Sequence, residues 1–88
     1  MRYRVMIVRR ASKELKSLPA RSRERIAERI AMLGHDPDNP ALDVKRLTHH
    51  PLAGFRLRVG AYRVLFNRED GIRIIEIVRV AQRKEAYK

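Results

Sequence analysis

The sequence predicts an α+β fold: one small domain over residues 1–88, ordered β-α-α-β-β-β, with a two-helix hairpin packed on one face of an antiparallel-rich sheet. Three observations predict it. An alternating apolar segment opens the chain, two segments with apolar residues at helical spacing follow, and three apolar runs separated by turn residues close it. At 88 residues there is room for one modest core, since a chain this short buries only about 60% of its unfolded surface. Hydrophobic residues make up 44% and charged residues 35%, the composition of a folded domain with a heavily solvated exterior rather than of a disordered chain.

Tyr3, Val5 and Ile7 alternate with Arg2, Arg4 and Met6, which predicts a first strand with one buried face. Ser12 is placed to cap a helix running through Leu18, with Ala11, Leu15 and Leu18 on its apolar side and Pro19 stopping it. A second helix is expected from Ala20 to Leu33, on the stripe Ile26, Ile30 and Leu33 backed by Ala27, with Gly34 as its stop. The charges Arg21, Arg23, Arg25 and Arg29 beside Glu24 and Glu28 read as a solvated outer face. "GHDPDNPALD" reads as a loop. Strands are expected at Phe55–Val59, Tyr62–Phe66 and Ile72–Val80, separated by "GA" and "NREDG", and "AQRKEAYK" as a short tail or helical turn. Two amphipathic helices cannot close a bundle alone, so they should cover one sheet face and leave the other open.

Charge is the outlier of the composition. There are 21 Lys and Arg against 10 Asp and Glu, a formal net charge of +11, which favours a polyanion or an acidic protein as partner. If Gly60 and Ala61 are the central residues of a type II′ turn, Val59 faces Tyr62, Leu57 faces Val64 and Phe55 faces Phe66. One side of that hairpin is then wholly apolar, and the reverse side carries Arg56, Arg58 and Arg63. Arg58 lies directly opposite Arg63, and like charges so placed destabilise a ladder by a few tenths to about 1 kcal/mol. No carboxylate lies between Asp43 and Glu69, whereas Lys45, Arg46, Arg56, Arg58, Arg63 and Arg68 do. An anion site on an unneutralised basic face competes here with cations that merely protect a sheet from edge pairing.

Several classes of chemistry find no support. With no cysteine there is neither a disulfide framework nor a thiolate metal site. His35, Asp36 and Asp38 in "HDPD" are the candidate metal ligands, and their Pro-rich setting favours turn and capping roles; no metal or cofactor is expected. His49 and His50 are adjacent, point apart in an extended chain and belong to no triad spacing. The apolar stretch inside "MRYRVMIVRR" is too short for a signal peptide or a membrane span, so a cytoplasmic protein is expected. What remains is the basic face and Tyr87, four residues after Arg83 and so able to share a side of a helical turn. That set suits metal-free RNA cleavage, in which a 2′-OH attacks the adjacent phosphate. Arginines stabilise the phosphoryl charge but are feeble bases, whereas a phenol among cations is a better proton carrier. Tyr87 as a packing aromatic is the competing reading.

The order of elements, the phrase "KELKSLP" followed by Arg, the loop "DPDNP", the hairpin "RLRVGAYRVLF" and the ending "IIEIVRVAQRKEAY" together resemble the RelE/ParE superfamily of toxins, over nearly the whole chain. The resemblance implies the toxin of a type II toxin-antitoxin pair, held silent by an antitoxin protein laid across its surface. RelE-like members cut mRNA in the ribosomal A site with basic residues on the central strands and near the end of the last one, often with a C-terminal Tyr. ParE-like members poison DNA gyrase and generally lack that set. By position, Arg56 and Arg58 match the family's second-strand basic residues, Arg63 its "YR" arginine, and Arg83 with Tyr87 its Arg-x-x-x-Tyr ending, which favours RelE. Many relatives read His-Arg where this chain has Gln82-Arg83, and some carry Lys in place of Arg56. The roles implied are Tyr87 as general base, Arg63 stabilising charge, Arg83 protonating the leaving group or contacting phosphate, and Arg56 and Arg58 positioning the RNA. Lys45, Arg46, Arg79 and Lys84 are expected as further RNA-binding cations. A gyrase-directed toxin and a non-catalytic RNA-binding relative remain as alternatives.

Overall fold

The computed structural model describes residues 2–87. Its elements are β1 (Arg4–Ile7), α1 (Arg9–Lys16), α2 (Ala20–His35), β2 (Val44–Arg46), β3 (Phe55–Val59), β4 (Tyr62–Glu69), β5 (Ile74–Gln82) and α3 (Arg83–Ala86). The five strands form one sheet in the order β1-β5-β4-β3-β2, with β1 parallel to β5 and the other pairs antiparallel. The expected α+β architecture is present, with one added element, the short edge strand β2; α3 is the helical turn expected in "AQRKEAYK".

The hairpin register is the one the turn chemistry predicts. Val59 pairs with Tyr62, Leu57 with Val64, Phe55 with Phe66 and Arg58 with Arg63. Gly60 has φ +59° and Ala61 a negative φ, as a turn with its single left-handed residue first requires. Alternation sends Leu57, Val59, Val64 and Phe66 to the core, where they meet Ile26, Ile30 and Leu33 of α2, Ala11 of α1, and Ile75, Ile77 and Val80 of β5. Each fully buried aliphatic or aromatic side chain contributes roughly 1.5–3 kcal/mol. The Phe55 and Phe66 rings stack across the ladder with centroids 5.4 Å apart.

Helix boundaries differ from expectation for identifiable reasons. α1 begins at Arg9, because the Val8 N–H still donates to Ile77 of the sheet while the Val8 carbonyl already accepts from Ser12. Val8 is thus the N-cap, and Ser12 sits inside the helix. Gly34 is likewise not a stop but lies within α2. A Cβ there would stand 2.6 Å from Cγ2 of Val5, and the Gly34 carbonyl accepts the Tyr3 N–H at 2.7 Å. The residue is small because β1 crosses the helix at that point. β5 begins at Ile74 rather than Ile72, since Arg73 turns at φ +53°.

The second sheet face is not left open along its whole length. Leu65 and Ala81 point to it and are nonetheless buried, together with Ala86 of α3, which packs on β4 and β5. At the far end of β4, Arg68 bonds Asp38 (2.9 Å) and Asp70 (2.8 Å), and Tyr3 donates its hydroxyl to Asp70. This clasp ties the Pro-rich loop to the β4–β5 turn. Hydrogen bonding and the charge of Arg68 hold the Asp38 carboxyl below the usual carboxylate range, and hydrogen bonds from Arg68 and Tyr3 do the same for Asp70. The Arg68 guanidinium is shifted upward by the same bonds. Asp36 works as a turn residue, its Oδ1 accepting the Asp38 N–H at 2.9 Å.

Candidate RNA-binding cleft

On the sheet face opposite α2, Lys45, Leu47, Arg56, Arg58, Arg63, Arg83 and Tyr87 line one cleft of about 310 Å³. Four elements build it. β3 contributes Arg56 and Arg58 by strand alternation, β4 contributes Arg63, β2 contributes Lys45, and α3 brings Arg83 and Tyr87 to the rim. All five residues expected to carry the chemistry, Arg56, Arg58, Arg63, Arg83 and Tyr87, meet here.

Their side chains are held differently. Arg63 is only 6% exposed, and its Nη1 donates to the carbonyls of Gly60 (3.1 Å) and Tyr62 (3.0 Å). These neutral acceptors fix the guanidinium without cancelling its charge. No side-chain nitrogen or oxygen among the described residues is both fully buried and unpartnered, so the remaining Arg63 nitrogens are not fully buried. Arg56 departs from the unneutralised face expected from the sequence: its Nη1 bonds Oδ1 of Asp43 at 3.0 Å and the Asp43 carbonyl at 3.1 Å. Lys45, Arg58 and Arg83 make no side-chain hydrogen bond or ion pair among the described residues. Tyr87, the C-cap of α3, is 45% exposed.

Of the other expected RNA contacts, Lys45 joins the cleft while Arg46, Arg79 and Lys84 do not. Alternation along β2 explains the first pair: Lys45 is opposite Arg56 on the cleft side, and Arg46 is opposite Phe55 on the helix side, its guanidinium 5.9 Å from that ring. Arg79 is 7% exposed and bonded to Glu14 of α1, at 3.2 Å from Nε and 3.1 Å from Nη2. Lys84 is exposed on α3 outside the cleft. The structure also brings in residues the sequence reading passed over. Leu47 supplies an apolar wall, Asp43 tethers Arg56, and Glu14 holds Arg79. Asp43 carried a signal, being the carboxylate at the edge of the carboxylate-free stretch. His50 is structural, its Nδ1 accepting the Leu52 and Ala53 N–H groups at 3.1 Å each. Among the described residues no group of His, Asp and Glu is arranged to hold a metal ion, and no helix is long and apolar enough to cross a membrane.

A helix pair on one face of a five-stranded sheet and an arginine-lined cleft on the other define a small α+β domain of the RelE toxin fold. The chain belongs to the RelE/ParE superfamily of type II toxin-antitoxin toxins: the family model described as "ParE toxin of type II toxin-antitoxin system, parDE" matches residues 5–87. A protein of Methanocaldococcus jannaschii that carries the toxin name RelE1 is 34% identical over 100% of this chain and 98% of its own length. Among solved structures, the RelE-RelB complex of Pyrococcus horikoshii matches with a TM-score of 0.80 and 31% identity, over 98% of this chain and 100% of that one. The toxin-antitoxin complex RelBE2 of Mycobacterium tuberculosis matches with a TM-score of 0.78 and 28% identity, over 94% and 100%. The protein is thus a RelE-like toxin of a type II toxin-antitoxin system.

Proposed function

We propose that the toxin is an endoribonuclease that cuts mRNA in the ribosomal A site by metal-free attack of a 2′-OH on the adjacent phosphate. The observation that carries this reading is the meeting of Arg58, Arg63 and Arg83 with the Tyr87 phenol in one cleft. Cleavage needs a group to take the 2′-OH proton, donors aimed at the phosphoryl oxygens and a donor for the departing 5′-oxygen. Tyr87, which shares the cleft with Arg58, Arg63 and Arg83, takes the proton. Arg63, locked by the turn carbonyls, is preorganised for the extra phosphoryl charge, which avoids reorganisation during the reaction. Arg83 serves the leaving oxygen or its phosphate, while Arg58, Lys45 and Arg56 hold the flanking backbone; for Arg56, RNA competes with Asp43.

The partner that silences this activity is an antitoxin protein; the Mycobacterium relative is solved as a toxin-antitoxin complex and the Pyrococcus relative as a RelE-RelB complex. Primer extension on translated mRNA should reveal cuts at fixed codon positions with the wild-type toxin and none with Arg63→Ala combined with Tyr87→Phe. Cutting that survives both substitutions refutes this site.

A second reading is favoured by the family model itself, which describes a ParE toxin. In that reading the protein inhibits DNA gyrase by binding it. DNA damage on induction, with mRNA intact, selects it. Salt-sensitive RNA binding with neither cleavage nor toxicity selects a non-catalytic relative.

A further inference from the structure

The strand ladder of β5 outruns its neighbour. β1 pairs with Ile74 to Ile77 and then leaves the sheet, so the edge of β5 beyond that point lacks a strand partner. α1 fills the gap with one side chain. Glu14 Oε1 accepts the Val80 N–H at 3.0 Å, and its Oε2 accepts Arg79 Nε and Nη2, with Arg10 Nε 3.9 Å from the same oxygen. The third corner of the Arg79 fork, Nη1, donates to the Glu85 carbonyl of α3 at 2.7 Å. A single guanidinium therefore joins α1, β5 and α3.

α3 needs such an anchor. It has four residues, far below the roughly 12–15 at which an isolated helix becomes even marginal in water. Tertiary contacts must hold it: the Arg83 N–H on the Ala61 carbonyl at 3.0 Å, the buried Ala86, and Arg79 on Glu85. The first lies at the start of the helix and the last two in its second half, next to Tyr87.

We infer that Glu14 and Arg79 are positioning residues for RNA cleavage: they latch α3 to the sheet and thereby set where Arg83 and Tyr87 stand in the cleft. The importance of the latch to catalysis rests on the endoribonuclease reading; the latch itself does not. Glu14 lies on α1 and lines no part of the cleft, so its reach to the cleft runs through β5, by way of Arg79 and the Val80 N–H. Among the described residues its carboxylate bonds only donors, the Val80 N–H and the Arg79 guanidinium, with Arg10 beside them. Glutamine there presents an NH2 to one of these donors and breaks the arrangement at nearly constant volume. Lysine in place of Arg79 restores the charge but cannot span Glu14 and Glu85 together, because only the planar fork reaches both.

The test compares wild type, Glu14→Gln, Arg79→Met and Arg79→Lys by 15N relaxation of residues 83–87, by thermal unfolding, and by cleavage of mRNA on programmed ribosomes. Relaxation should show residues 83–87 ordered in wild type, disordered in Glu14→Gln and Arg79→Met, and intermediate in Arg79→Lys, with the β3–β4 signals unchanged in every variant that unfolds cooperatively. The cleavage rate at saturating ribosomes should fall about tenfold or more while the half-saturating concentration stays within about twofold, since a misplacement of about 1 Å costs on the order of 100-fold in rate. Order retained at 83–87 in both Glu14→Gln and Arg79→Met overturns the latch, and order lost with cleavage unchanged overturns its role in positioning. If wild type does not cleave at all, the endoribonuclease reading fails, and the relaxation data still decide whether the latch exists.

Discussion

The proposed RNA binding should depend on salt as the cleft's ion pairing dictates. Lys45, Arg58, Arg63 and Arg83 line it without a carboxylate partner among the described residues, while Arg56 is engaged by Asp43. Each cation that neutralises a phosphate of single-stranded RNA releases counterions, contributing about −0.7 to the slope of log K against log salt, so four give a slope of roughly −3. Between about 50 and about 200 mM salt, affinity should then fall about 50-fold. Arg58→Ala should bring the slope to roughly −2 and the loss to about 20-fold. Asp43→Asn should release Arg56 and steepen the slope to about −3.5, tightening binding at low salt. Fluorescence anisotropy of a short labelled RNA checks this, with 2′-O-methyl groups blocking the nucleophile. A wild-type slope steeper than about −5 would mean that the wider surface of this +11 protein, not the cleft, carries the binding. A slope indifferent to both Arg58→Ala and Asp43→Asn would sink the argument as well.

Two further outcomes concern the scaffold. Ala in a helix interior in place of Gly ordinarily gains about 0.5–1 kcal/mol, but at Gly34 the new methyl meets stiff, β-branched Val5. Overpacking at about 1–3 kcal/mol outweighs the gain, so urea unfolding should show Gly34→Ala destabilising in wild type and stabilising in a Val5→Ala background; the same effect in both backgrounds refutes the contact. Acid stability should reflect the Arg68 clasp, because Asp38 and Asp70 titrate below their unfolded values. Their contribution is present above the unfolded carboxylate pKa of about 4 and is lost as pH falls through the lower folded values. Urea midpoints measured down to pH of about 2 should fall less steeply in Asp38→Asn/Asp70→Asn than in wild type; parallel profiles would show that the clasp contributes nothing to folding.

Strand alternation and turn chemistry made the hairpin legible from sequence down to the Arg58–Arg63 pairing, because both are set by residues adjacent in the chain. The cleft followed from the same logic, and the four-residue spacing of Arg83 and Tyr87, matched by the family resemblance, supplied its rim. β2 was not legible, since "VKR" has a single apolar residue and no alternation to detect. Nor was the helix start at Arg9, which depends on Val8 remaining in the β1–β5 ladder. Arg46 and Arg79 show the limit of counting charges. One is turned away by a period of two, and the other is claimed by a carboxylate 65 residues distant in sequence. Gly34 read as punctuation because sequence cannot show which backbone passes over a helix.

The placement of β5 between β1 and β4 has a consequence for biosynthesis. β5 is the last of the five strands to leave the ribosome and the one that joins β1 to the rest, so a growing chain holds β1 apart from β2, β3 and β4 until β5 has emerged. Arg83 and Tyr87 arrive later still. A nascent chain therefore cannot complete the cleft before β5 and α3 have followed the other elements out of the ribosome.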